Sequence, residues 1–297
     1  MDDAPLIAGV ELGGTKCVLI LAKGPDAILE RVELPTRKPE ETLAAIEGVI
    51  DSWRGFQALG IASFGPISID RRAADYGHIT STPKPGWRGT DVARRVGSRY
   101  GVPTGFDTDV VGAALGEARW GAAAGLSDLA YITVGTGVGV GLVAHGRPVD
   151  GLTHGELGHV RPVRMAGDEW TGSCPYHGAC VEGLVSGPAI AARTGMAGAD
   201  VPPDHPVWAT VTHALAQLLH TITLTGVPRR IVLGGGVMIG NQFLFPQIRA
   251  ALRHSLGGYV ALPEVEDVDT FVVPPSLGNN AGPLGAIVLG EQALART

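Results

Sequence analysis

One pattern occurs twice in this chain and limits its fold more than any other feature. Residues 6–12 are an apolar run, L-I-A-G-V-E-L, interrupted by Gly13-Gly14-Thr15 and resumed at 16–22 as K-C-V-L-I-L-A. Residues 129–134, Gly135-Thr136-Gly137 and 138–144 follow the same order. Short β-branched runs parted by glycine read as strand–turn–strand units, with glycine at the turn positions pointing to positive φ. Two copies suggest two related α/β lobes, each opening on a hairpin. Two unrelated β-hairpins are the alternative.

The intervening segments carry helical and strand patterns in alternation, as an α/β fold requires. Residues 39–53 have helical spacing at Leu43, Ile46, Val49 and Ile50, and 57–63 return to strand. Residues 65–67 and 82–87 are loops, Thr90 or Asp91 caps a helix to Tyr100, and a strand over 102–106 runs into Asp107-Thr108-Asp109. A small-residue helix spans 110–120. Beyond the second hairpin, Ser186-Gly187-Pro188 opens a helix with Pro188 at its first position. A long amphipathic helix covers 205–225, a strand at 230–233 ends in Gly234-Gly235-Gly236 before a further helix, and 279–294 closes the chain. The expected organisation is an N-terminal lobe over 1–110, joined by the C-terminal helix 280–297, and a larger lobe over 111–279.

Charge and cysteine content exclude several classes. A net charge of -6 with no basic run argues against a nucleic-acid surface. No apolar run approaches the roughly 20 residues of a membrane span. The start, M-D-D-A-P, lacks the basic and apolar regions of a signal peptide, so a cytoplasmic protein is expected. Three cysteines make no disulfide framework, and Cys17 reads as a small buried strand residue.

The other two cysteines belong to the densest chemistry in the chain, H-G-E-L-G-H at 154–159 and C-P-Y-H-G-A-C-V-E at 174–182. Cys174, His177 and Cys180 fall three apart, and His159 can supply a fourth ligand. Two sulfurs and two imidazoles suit tetrahedral zinc, and four protein ligands make a closed, structural site. The alternative is a reduced, metal-free loop. The two histidines of H-G-E-L-G-H lie five apart and would not share a helix face, unlike those of H-E-x-x-H zinc peptidases, so a hydrolytic centre is not expected. Glu156, Glu182 and the second edge of His159 are left for the loop to present.

Three glycine clusters, 13–14, 135–137 and 234–236, sit at strand ends, where backbone N–H groups can approach a phosphate. None has the spacing of a P-loop or a dinucleotide fingerprint, and singly each is an ordinary turn. Together they suggest a nucleotide clamped between hairpins, with Lys16 adding charge near the phosphates or else standing as an ordinary exposed lysine. Asp109, at the end of a strand, can accept a proton from an attacking hydroxyl, or can cap the helix that follows. Glu11 with Asp109 would suffice for a magnesium ion bound mainly by phosphate and water.

In series, these motifs resemble the ROK family of sugar kinases: E-L-G-G-T-K at 11–16, G-P-I at 65–67, T-P-K-P-G-W at 82–87, T-D-V at 108–110, G-T-G at 135–137, the two metal-loop motifs, and G-G-G-V-M at 234–238. The fructokinase branch is the nearest, because T-P-K-P-G-W and C-P-Y-H-G-x-C are its forms. The resemblance implies a two-lobed, actin-like (ribonuclease H-like) α/β fold closing over ATP–magnesium and a hexose, in a homodimer. It implies Asp109 as catalytic base, sugar contacts from Gly65, Pro85, Gly86, Thr108, Asp109, Glu156, His159 and Glu182, and a zinc on His159, Cys174, His177 and Cys180. The nucleotide site becomes Gly13, Gly14, Thr15, Lys16, Gly135, Thr136, Gly137, Pro188, Gly234, Gly235, Gly236, Val237 and Met238.

Two departures stand out: Val111 replaces the asparagine usual after T-D-V, and L-G-N-N-A-G at 277–282 carries a polar pair without an evident role. Glucokinase, mannokinase and N-acetylhexosamine kinase are the alternatives within the family. A transcriptional repressor would need a helix-turn-helix arm ahead of the ten residues that precede Glu11, and a non-catalytic sugar-binding module would not need Asp109 or the phosphate turns.

Overall fold

The computed structural model describes residues 4–297. They divide into two compact units, one formed by residues up to 125 with 148–154 and 276–297, the other by 126–147 and 155–275.

In the first unit, the hairpin of β1 (Ile7–Leu12) and β2 (Lys16–Ala22) is extended by β3 (Ile28–Pro35) on one side. Helix α1 (Pro39–Ile50) leads to β4 (Ala58–Ser63), and α2 (Ala93–Gly97) to β5 (Thr104–Thr108) and α3 (Asp109–Trp120). The sheet order is β3-β2-β1-β4-β5, with β1–β2 and β2–β3 antiparallel and β1–β4 and β4–β5 parallel. Strand β3 has no place in the sequence expectation. Its I-L-E-R-V-E-L-P carries three charges and is largely exposed, the composition of an edge strand rather than a core one. Proline in the first turn of α1, with Glu40 and Glu41 beside it, suits the N-terminal end of a helix dipole, and Leu43, Ile46 and Ile50 face the core.

The second unit repeats the plan. Strands β6 (Leu129–Val134) and β7 (Val138–Ala144) form the hairpin and β8 (Arg147–Pro148) the edge. Then follow α4 (Val181–Val185), α5 (Gly187–Thr194), α6 (Val207–Gly226), β9 (Arg230–Gly234), α7 (Gly236–Gly240), α8 (Leu244–Leu256), α9 (Pro263–Glu266), α10 (Val268–Phe271) and β10 (Val272–Val273). Order β10-β9-β6-β7-β8, with β6–β7 antiparallel and β6–β9 and β9–β10 parallel, matches the first sheet strand for strand. Two unrelated hairpins would have no reason to share their parallel neighbours. Trp208, Leu215, Leu219 and Ile222 of α6 fill the core against Ile132, Leu233, Ile248 and Leu252.

The chain then returns to the first unit as α11 (Ala281–Leu294). This helix is buried from Ala281 to Gly290, against β1, β4, β5 and α3. Small residues let it in. A Cβ on Gly60 of β4 would lie 1.7 Å from the Ala286 carbonyl oxygen, and one on Gly285 would lie 1.8 Å from that of Gly112 in α3. This contact between backbones moves the expected boundary near residue 110: α3 belongs wholly to the first unit, because its small-residue face packs on α11.

The turn glycines also differ from expectation. Gly13, Gly14, Gly135 and Gly137 all have φ outside the left-handed region, whereas Gly235 has φ +88°. What Gly13 and Gly137 supply is missing volume. A Cβ on Gly13 would sit 2.6 Å from the Lys16 carbonyl oxygen, and one on Gly137 would sit 2.7 Å from Oε2 of Glu182.

Candidate active site

Catalytic candidates in the first unit lie where its parallel strands end. Thr108, the last residue of β5, caps α3: its Oγ1 accepts from Val111 N at 3.2 Å. The helix cap is therefore Thr108, and the alternative reading of Asp109 as the cap does not hold. Asp109 is the first residue of the helix, with Oδ1 accepting from Val110 N at 2.9 Å. Val111 is buried, so its side chain fills core where an asparagine amide would need partners. Asp107, buried beside Thr108, accepts the Thr108 N–H at 2.7 Å. Burial, opposed by that hydrogen bond and reinforced by the charge of Asp150, pushes its carboxyl up to about 6.

Glu11, near the end of β1, lies close enough to Asp109 for their charges to interact. Burial first, then Asp109, raise its carboxyl to about 7, against the lowering effect of Lys16 and Arg31. Two carboxylates in such a setting have a use for a cation, which fits the pair assigned to magnesium. A Cβ on Gly282 would come 2.1 Å from Glu11 Oε1, so glycine in the first turn of α11 makes room for this carboxylate.

The first glycine turn is held by side chains that spacing did not reveal. Gly13 N donates to Lys16 O at 3.1 Å, and Lys84 Nζ, from the T-P-K-P-G-W loop, donates to Gly14 O at 2.6 Å. That loop is anchored by Trp87, fully buried, with Nε1 donating to Arg37 O at 2.9 Å and its ring edge-on to Phe64. Pro85 and Gly86 beside it are exposed, Gly86 at φ +81°. Lys16, exposed, forms an ion pair with Glu33 at 3.3 Å. Arg31 bridges Glu33 and Asn280 Oδ1, the latter at 3.1 Å, which gives the second asparagine of L-G-N-N-A-G a structural role.

The Gly65-Pro66-Ile67 loop is fixed by buried His154, the first residue of H-G-E-L-G-H, whose Nε2 accepts from Ile67 N at 3.0 Å. A further buried acid, Glu117 of α3, accepts from Ala122 N at 2.6 Å, Leu277 N at 3.0 Å and Ser276 N at 3.2 Å, tying α3 to the segment before α11. An acid inside a helix of alanine and glycine was the available signal for Glu117. Nothing local marks Lys84 or His154, whose partners are 70 and 87 residues away.

In the second unit the metal-loop residues come together. The ligand atoms of His159, Cys174, His177 and Cys180 all lie within 4.8 Å of one another. Cys174 Sγ is 3.7 Å from His159 Nδ1 and 3.8 Å from His177 Nδ1, and Cys180 Sγ is 3.6 Å from His159 Nδ1. A tetrahedral zinc with bonds of about 2.3 Å to sulfur and 2.0–2.1 Å to nitrogen has S···N edges of roughly 3.6 Å. The donor set therefore fits that ion in chemistry and in spacing. Burial, opposed by the Gly183 N–H and reinforced by the Cys174 sulfur, pushes the Cys180 thiol up to about 11, an environment in which thiolates need a cation. The knuckle is closed by Cys174 N to Gly178 O and Gly178 N to Cys174 O, at 3.2 and 2.9 Å.

Because both histidines turn Nδ1 toward the sulfurs, the Nε2 edge of His159 is left for another partner. Glu156 has its carboxyl raised by desolvation, with His159 lowering and Glu182 raising it. Glu182, second residue of α4, reaches the other glycine turn: its Oε2 accepts from Val138 N at 3.0 Å, while Oε1 is 4.0 Å from His159 Nδ1.

Thr136 is exposed at the tip of that turn. Gly187 N donates to Gly135 O at 2.7 Å, Ser186 caps α5, and exposed Pro188 is at its second position rather than the first. Gly234-Gly235-Gly236 joins β9 to α7, but Val237 and Met238 bury their side chains in the core, so only their backbone is available to a ligand.

The family model for the ROK family matches residues 7–293, and the chain belongs to that family. A "Putative fructokinase" of Bacillus subtilis (strain 168) is 44% identical over 97% of this chain and 96% of its own length. A "Fructokinase" of Pediococcus pentosaceus is 41% identical over 97% of this chain and 99% of its own. Among solved structures, a ROK family glucokinase from Streptomyces griseus, in complex with glucose and AMPPNP, superposes with a TM-score of 0.75 at 26% identity, covering 97% of this chain and 99% of that one. The fold is the two-lobed α/β sugar-kinase fold of that family.

Proposed function

We propose that this chain is an ATP-dependent fructokinase, transferring the γ-phosphoryl group of ATP to the 6-hydroxyl of fructose. The observation that carries this reading is the full-length match, above 40% identity, to two proteins named as fructokinases. Asp109 is the general base: its carboxylate orients the hydroxyl and takes its proton as the bond to phosphorus forms. Thr108, Glu156, His159 and Glu182 bind the hexose, with Gly65, Pro85 and Gly86 lining it. The glycine turns at 13–15, 135–137 and 234–238, with Lys16 and Pro188, serve the nucleotide, in keeping with the AMPPNP bound by the Streptomyces griseus relative.

Magnesium, held through Glu11 and Asp109, supplies charge neutralisation on the phosphates. Zinc on His159, Cys174, His177 and Cys180 is structural, since four protein ligands leave no position for water. The protein is read as a cytoplasmic homodimer. Among the described residues no helix is long and apolar enough to cross a membrane.

A coupled ATP-consumption assay over fructose, mannose, glucose and N-acetylmannosamine tests the assignment. Fructose should give the highest kcat/KM. Glucose ahead by roughly tenfold, about 1.4 kcal/mol of transition-state preference, would overturn the fructose assignment and leave the kinase one.

A further inference from the structure

The G-T-G turn at 135–137 is built almost wholly from outside its own hairpin. Its internal contact is Gly135 N to Gly137 O at 2.9 Å. At one end, Gly187 N donates to Gly135 O at 2.7 Å. At the other, Glu182 Oε2 accepts from Val138 N at 3.0 Å and occupies the space a Cβ on residue 137 would need. Gly158 closes off the carbonyl of the same residue, since a Cβ there would lie 1.9 Å from Val138 O. Both groups gripping Val138 thus come from the two segments that carry the metal ligands.

A carboxylate beside a phosphate-binding turn opposes anion binding by its charge, so its benefit must be geometric. Val138 is 4% exposed, and leaving a buried N–H without its acceptor costs far more than the bond nets when made. Resting on the fructokinase reading, we propose that Glu182 is a positioning residue for the nucleotide turn: by holding Val138 N in the space left by Gly137, it sets affinity for the ATP phosphates, separately from any contact with hexose.

The test measures Mg–AMPPNP binding by calorimetry without sugar, and fructose binding without nucleotide, in Glu182→Ala, Glu182→Gln and Gly137→Ala. Glu182→Ala removes the acceptor, and Gly137→Ala displaces it while leaving the carboxylate in the chain. Both should weaken AMPPNP about tenfold or more. Glu182→Gln keeps an acceptor oxygen and sheds the charge, so its AMPPNP affinity should stay within about threefold of wild type. In turnover, Gly137→Ala should raise KM for ATP more than KM for fructose.

Unchanged AMPPNP affinity in both Glu182→Ala and Gly137→Ala, with only fructose binding weakened, would overturn the proposal. Gln and Ala losing nucleotide affinity equally would do the same, because the carboxylate's charge would then be what matters. Gly137→Ala replaces neither a metal ligand nor a residue assigned to the sugar, and it is read by its loss of AMPPNP against its loss of fructose, so it decides the matter even if Glu182→Ala does not fold. Failure of the fructokinase reading shows separately, as a wild-type protein that phosphorylates another hexose ahead of fructose or, if it is no kinase, binds no AMPPNP.

Discussion

The two glycine turns occupy the same place in two sheets of identical order, yet they are secured by opposite chemistry. In the first, a cation grips a carbonyl: Lys84 Nζ donates to Gly14 O. In the second, an anion grips an amide: Glu182 accepts from Val138 N. Each fastening side chain comes from a segment far along the chain, 70 residues away in one case and 44 in the other. Sheet topology supplies the position of each glycine turn, and distant segments supply the charge that fastens it. The duplication also separates the chemical groups, with Asp109 and Glu11 in one unit and the Cys/His cluster of His159, Cys174, His177 and Cys180 in the other.

The sharpest way to break that division is at Asp109. If chemistry depends on the first unit, Asp109→Asn should lower kcat by about 10²–10⁴-fold while hexose binding changes little. Because Thr108 caps α3, the substitution should leave thermal stability nearly unchanged. Near-normal kcat in the variant would remove the base from the mechanism.

Next in size is the metal cluster of the second unit. Cys174→Ser should release the zinc and cost several kcal/mol of stability, since metal affinity at a closed site is folding free energy. Elemental analysis should find about one zinc per wild-type chain and far less in the variant. Wild-type protein prepared without chelator and lacking zinc would erase this side of the comparison.

Smaller effects probe the small-residue packing under α11, which belongs to the first unit alone. Gly60→Ala puts a Cβ 1.7 Å from the Ala286 carbonyl oxygen, so β4 and the helix must separate. Overpacking of this kind costs roughly 1–3 kcal/mol, to be read as a lower midpoint in urea with the m-value unchanged. An unchanged midpoint would mean that the helix sits further from the sheet.

The smallest change is expected at Lys84→Met, which releases the first turn without touching the second. A hydrogen bond this near the surface nets about 1 kcal/mol, so KM for ATP should rise no more than about fivefold. A larger loss would make Lys84 a direct phosphate ligand rather than a fastening for the turn.

Local pattern alone settled a good deal. Alternating apolar runs marked both hairpins, because strand periodicity is written in consecutive residues. C-x-x-H-x-x-C with His159 marked the Cys/His cluster, because three of its four side chains lie in one knuckle and the fourth is 15 residues from Cys174. The T-D-V motif placed Asp109 at a strand–helix junction. What tertiary structure decided was everything that depends on distant backbone. Edge strand β3 carries charges that resemble a loop until β2 pairs with it. The cap of α3 went to Thr108 because β5 extends through that residue before the helix begins. The glycines at 13 and 137 follow from atoms that approach them, a carbonyl three residues on and a carboxylate 45 residues later, rather than from their own φ. The unit boundary moved past α3 because α11, near the far end of the chain, packs its glycines there. Periodicity records which face of an element is buried, whereas the identity of what buries it is fixed only when the chain closes on itself.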